Sequence, residues 1–73
     1  MTNTALINQY IEATGLKRSY IAKTIGISRA ALANKISNRS DFKASEIDTI
    51  CKILGINTLE EKESIFFAVD VAG

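Results

Sequence analysis

Proline and histidine are both absent from this chain, and cysteine occurs once, at position 51. Without proline, no helix is interrupted from within. One thiol cannot close an internal disulfide, which suits a reducing compartment. With no histidine beside that lone cysteine, a Cys/His metal site is excluded. No glycine-rich phosphate loop is visible, and no serine or cysteine nucleophile has an evident base. Cys51 has the helical spacing of a core residue, and Glu60-Glu61 suits the first turn of a helix better than a catalytic dyad. An enzyme is therefore not expected, nor a cofactor. Met1-Thr2-Asn3-Thr4 has no basic stretch leading into an apolar run, so no secretion signal is expected. No apolar run approaches the roughly 18–20 residues of a membrane span. These absences predict a soluble cytoplasmic protein.

What is present points to a small packed domain. The chain has 73 residues, of which 47% are hydrophobic, and isoleucine recurs from Ile7 to Ile65. That supports a core and argues against disorder. A chain of this size is expected to form one domain. Formal net charge is only +1, yet its distribution is uneven. Lys17, Arg18, Lys23, Arg29, Lys35, Arg39 and Lys43 face a single acid, Asp41, giving residues 17–43 a net +6. From Ala44 onward the net is −4, with Lys52 and Lys62 against six acids. A basic middle beside an acidic end suggests a polyanion-binding face, although a segregated solvated surface reads the same way.

Apolar spacing is helical nearly throughout and predicts five helices, near residues 4–14, 18–25, 29–36, 44–54 and 59–66, with a tail at 67–73. Leu6, Ile7, Tyr10 and Ile11 form one face of the first, with a cap among Thr2, Asn3 and Thr4 and a stop at Gly15. Ile21, Ala22 and Ile25 are the inward stripe of the second, ended by Gly26. Ser28 caps the third, whose inward side is Leu32 and Ile36. A polar loop follows from Ser37 to Asp41. Ile47, Ile50, Cys51 and Leu54 face inward on the fourth, and Thr58 with Glu61 opens the fifth as a capping box. In the tail, Phe67, Val69 and Val71 alternate, the pattern of a short strand or extended arm.

The segment from Arg18 to Ile36 carries the function. Two helices cross through a turn of about three to four residues, a geometry that restricts a few positions. Ala22 must be small where the next helix passes over it. Gly26 falls where the turn requires positive φ. Ile21, Ile25, Ile27 and Leu32 lock the pair together. With Ser28 as cap between them, Ala22, Gly26, Ile27 and Leu32 resemble the helix-turn-helix signature of phage repressor and Cro-like proteins. The continuation Asn34-Lys35-Ile36, Phe42, Glu46-Ile47, Cys51 and Leu54-Gly55-Ile56 is similar to small Cro-like proteins of temperate phages of Gram-positive bacteria, including modulators of repression. The resemblance spans about residues 5–67 and implies an all-α, five-helix lambda-repressor-like fold.

That resemblance further implies that the third helix enters the major groove of operator DNA. Ser28, Arg29, Ala30, Ala33 and Asn34 would then read base edges. Arg29 suits guanine O6 and N7, Asn34 suits adenine N6 and N7, and an alanine suits a thymine methyl. Lys17, Arg18, Ser19, Lys35, Asn38, Arg39 and Lys43 would contact phosphates, which fix position without reading sequence. Lys17 and Lys43 also fall at N-cap positions, where lysine has no acceptor and opposes the helix dipole, at a cost of up to about 1 kcal/mol each.

Phe66, Phe67, Val69 and Val71 are a candidate homodimer surface, or else pack back onto their own core. Two departures from the family pattern stand out. Arg18 occupies a position where phage repressors often have Gln, and Ala30, Ala31 and Ala33 make the reading helix sparse. Two functions follow from the resemblance: a Cro-like regulator of the lysis/lysogeny switch in a bacterial host, or a modulator that binds the phage lysogeny repressor and masks its DNA-binding surface.

Overall fold

A computed structural model describes residues 1–69. It contains α1 (Thr4–Thr14), α2 (Arg18–Ile25), α3 (Arg29–Ile36), α4 (Ala44–Leu54) and α5 (Leu59–Phe66), with no strand among the described residues. The class is all-α, as the spacing predicts. Three helices begin on a side-chain acceptor. Asn3 Oδ1 accepts from Leu6 N–H, Ser28 Oγ from Ala31 N–H and Thr58 Oγ1 from Glu61 N–H. Each satisfies one of the amide donors that a helix start leaves unpaired. Glycines 15, 26 and 55 end α1, α2 and α4 in the left-handed region.

The core is built mainly of isoleucine. Ile7 and Ile11 of α1, Ile21 and Ala22 of α2, Leu32 and Ile36 of α3, and Ile47, Ile50, Cys51 and Leu54 of α4 meet Ile56, Ile65 and Phe66 in one cluster. α2 packs against both α3 and α4, while α1 packs on α4 and α5. No buried side-chain nitrogen or oxygen among the described residues lacks a partner.

The end of the described chain departs from the sequence reading. Phe66 is buried and meets Phe42 edge-to-face, with ring centroids 5.4 Å apart at 86°. It belongs to the core, not to a dimer surface, because it is the last residue of α5 and shares that helix's inward side with Ile65. Phe67 and Val69 are exposed. Val71 lies outside the described residues. In place of a strand, residues 67–69 run back over the start of the chain, where Ala68 N–H donates to Met1 C=O at 2.9 Å. Asn3 N–H donates to Ile65 C=O at 2.7 Å on the same side.

Candidate nucleic-acid interface

The angle between α2 and α3 is set at Gly26. Its φ is +92°, and its N–H donates to the carbonyls of Ala22 and Lys23 while Ile27 N–H also reaches Ala22 C=O. A Cβ built on Gly26 would meet nothing within 4 Å. The requirement is therefore conformational: an L-residue in this region costs roughly 1–2 kcal/mol. Ala22, 1% exposed, lies under the crossing. Leu32 and Ile36 turn inward and fix the rotation of α3 about its axis. The same rotation leaves Arg29, Ala30, Ala33 and Asn34 exposed, together with the capping Ser28.

α2 begins at Lys17, which has N-cap backbone angles and no side-chain bond to the helix start. Lys17 and Ser19 are exposed and Arg18 is half-buried. Arg18 and Arg29 line one shallow depression together with Thr4, Asn8, Leu32 and Ala33. The structure thus brings one phosphate candidate and two base-reading candidates to a single concave patch in which no acid takes part. Arg39 and Lys43 are exposed farther along the chain, in the α3–α4 connection.

Two residues expected to meet phosphate are committed elsewhere. Lys35 points its ammonium at Glu46 Oε1, and the two side chains are only 11% and 9% exposed. The same carboxylate oxygen accepts Lys43 N–H at 2.7 Å. Burial alone would push the Glu46 carboxyl up. The Lys35 ammonium, the Lys43 N–H and the nearby positive charge outweigh it and hold the carboxyl below its ordinary value. Asn38 is the second residue so committed. Its backbone is left-handed, at φ +68°, and its amide grips Thr2 from both sides. Oδ1 accepts Thr2 N–H at 2.7 Å and Nδ2 donates to Thr2 C=O at 2.9 Å.

Sequence reasoning missed Glu46 and Thr2. Glu46 stands three residues after Lys43, the spacing of a capping box, but lysine in the cap position hid the signal. Thr2 is a buried polar residue whose only sequence cue was a run of cap formers. Elsewhere, Tyr10 Oη donates to Glu61 Oε2 at 2.7 Å, which ties α1 to the start of α5. That hydrogen bond is the largest cause holding the Glu61 carboxyl below its ordinary value and raising the Tyr10 hydroxyl. Cys51 is buried, and burial pushes its thiol up, away from the reactive thiolate. No group of potential metal ligands gathers among the described residues, and no described helix is long and apolar enough to cross a membrane.

A capped eight-residue helix, set across its neighbour by a left-handed glycine and turned with its small and polar residues outward, defines the helix-turn-helix class of DNA-binding domain. Residues 7–61 match the family model described as the Cro/C1-type HTH DNA-binding domain. That match covers most of the chain, and the protein belongs to this family. Neither a curated protein nor a solved structure matches it.

Proposed function

We propose that this chain is a transcription regulator that binds operator DNA through α3, in the lysis/lysogeny switch of a temperate phage. One observation carries this reading: the exposed set Arg29, Ala30, Ala33 and Asn34 stands on a rigidly seated helix, with the Arg18 guanidinium sharing its margin. An α-helix fits the major groove, and Arg29 and Asn34 are the residue types that make paired bonds to guanine and adenine. Lys17, Arg18, Ser19, Arg39 and Lys43 supply the phosphate contacts that hold the helix in register. Helix α3 is short, so one chain reads one half-site. A homodimer joined through Phe67 and Val69 would read two half-sites about 34–36 Å apart. The site of action is the cytoplasm of the host cell, and the activity is binding without catalysis.

A second reading rests on the exposed Ala30 and Ala33. A flat helix face beside an arginine-rimmed depression also suits a protein, here the phage lysogeny repressor, whose DNA-binding surface the chain would mask. One titration separates the two. The pure protein is added to the divergent promoter duplex between the two regulator genes, with and without the repressor, at two salt concentrations. A regulator retards the duplex by itself, and the effect weakens steeply with salt. A masking protein retards nothing alone and releases the repressor from the duplex.

A further inference from the structure

Helix α3 has only eight residues, far below the length at which a helix holds itself together in water. Its aim therefore depends on what grips it. Leu32 and Ile36 seat its inner side. Its last turn is tied at two further points: Thr4 Oγ1 donates to Ile36 C=O at 2.7 Å, and Lys35 Nζ reaches Glu46 on α4. The Lys35–Glu46 tie is almost dry, with both side chains about nine-tenths covered. The acceptor is also fixed from its own side, because Glu46 Oε1 takes the Lys43 N–H that begins α4.

Successive side chains on a helix point about 100° apart, so the direction of Lys35 dictates that of its neighbour Asn34. On this basis, and resting on the DNA-binding reading above, we propose that Glu46 is a positioning residue of the DNA interface. It withdraws the Lys35 cation from the phosphates and fixes the rotation of α3 that aims Asn34 and Arg29 at base edges. The +6 of residues 17–43 thus loses one charge to an internal partner, and specificity gains what non-specific affinity gives up.

The test uses the whole chain and four proteins: wild type, E46Q, K35M and E46Q/K35M. The glutamine keeps an oxygen for Lys43 N–H and removes only the charge. Binding to the promoter duplex and to an unrelated duplex is followed by fluorescence anisotropy across a salt series. Amide exchange in α3, read by NMR without DNA, is the independent measure. In E46Q the freed Lys35 makes a new phosphate contact, so the salt slope steepens by about 0.9. The ratio of promoter to unrelated binding falls several-fold, and the amides of Ala33 to Ile36 exchange faster. In E46Q/K35M the slope returns to the wild-type value while the ratio stays low. K35M alone leaves the slope unchanged, a result that stands even if E46Q fails to fold. A slope shallower by one contact in K35M overturns the proposal, because Lys35 would then already touch phosphate. Unchanged α3 exchange in E46Q overturns it as well. A wild-type chain that binds no duplex at any salt defeats the DNA reading instead, and the exchange of α3 then decides the role of Glu46 alone.

Discussion

Arg29 and Leu32 stand three residues apart on α3, on neighbouring parts of its surface, yet one is exposed and the other buried. Leu32 is 1% exposed inside the isoleucine core. Leu32→Ala should cost about 2–5 kcal/mol, the usual loss for a buried leucine truncated to alanine, and thermal melting in the absence of DNA measures it. Arg29 is exposed. Arg29→Ala should leave melting unchanged and weaken promoter binding by about 1–3 kcal/mol if it pairs with a guanine. An equal loss on promoter and unrelated duplexes would move Arg29 from base reading to phosphate contact. Glu46 makes a third claim at this scale. Its native carboxyl lies below the ordinary value, so as pH falls into the carboxylate range the unfolded chain takes up a proton before the native one does. The stability it contributes is therefore complete above the ordinary glutamate value and is lost as pH falls through the native value. Melting measured from neutral to acid pH should fall more for wild type than for E46Q, and the two curves should converge at the acid end. Parallel curves would mean that the ion pair adds nothing to folding.

At the scale of elements, the turn between α3 and α4 does more than connect. Asn38 takes a left-handed backbone and holds residue 2 in a two-bond grip, while residue 3 bonds to Ile65 at the end of α5 and residue 1 to Ala68 just past it. The first three residues are thus a clasp between the exit of α3 and the exit of the last helix. Asn38→Gly keeps the backbone conformation and loses both side-chain bonds, whereas Asn38→Ala loses the bonds and adds strain. Alanine should therefore be the worse substitution, by about 1–2 kcal/mol, in denaturant melts of the two variants. Equal stabilities would show that the turn relaxes out of the left-handed region. The clasp also marks where legibility in the sequence stops. The five helices were legible, because their signals are local: apolar period, cap residues and stop glycines. So was the corner at Gly26, since glycine there answers a local backbone demand. The partners of Lys35 and Asn38 were not. Glu46 lies eleven residues from Lys35, and Thr2 lies thirty-six from Asn38. Neither pairing follows a period or a turn rule. Both cations and amides on a basic segment read as surface groups until a fold brings them a mate. Phe66 and Phe67 divide for a related reason: a helix end decides which of two adjacent aromatics turns inward, and helix ends are the weakest part of a sequence reading.

For the molecule as a whole, the arginines beside α3 and the exposed Phe67 lie on different elements. The starts of α2 and α3 carry Arg18 and Arg29, whereas Phe67 at 57% exposure borders three shallow depressions with Phe42, Leu59, Met1 and Lys62. Phe67 belongs to neither the core nor α3, and it is the residue on which the homodimer proposed above rests. If a second copy covers it, DNA binding and self-association are coupled: two half-sites on one duplex hold two chains at high effective concentration. Phe67→Ser should then leave melting of the dilute protein nearly unchanged and shift sedimentation toward the monomer. On DNA it should abolish the advantage of a duplex with two half-sites over one with a single half-site. Affinity for the single half-site should stay as in wild type, because Arg29 and Asn34 are untouched. Loss of single-site binding in that variant would show instead that the end of the chain supports α3 directly, through the Met1–Ala68 pairing and the Asn38 grip, and that the apolar surface serves the domain itself.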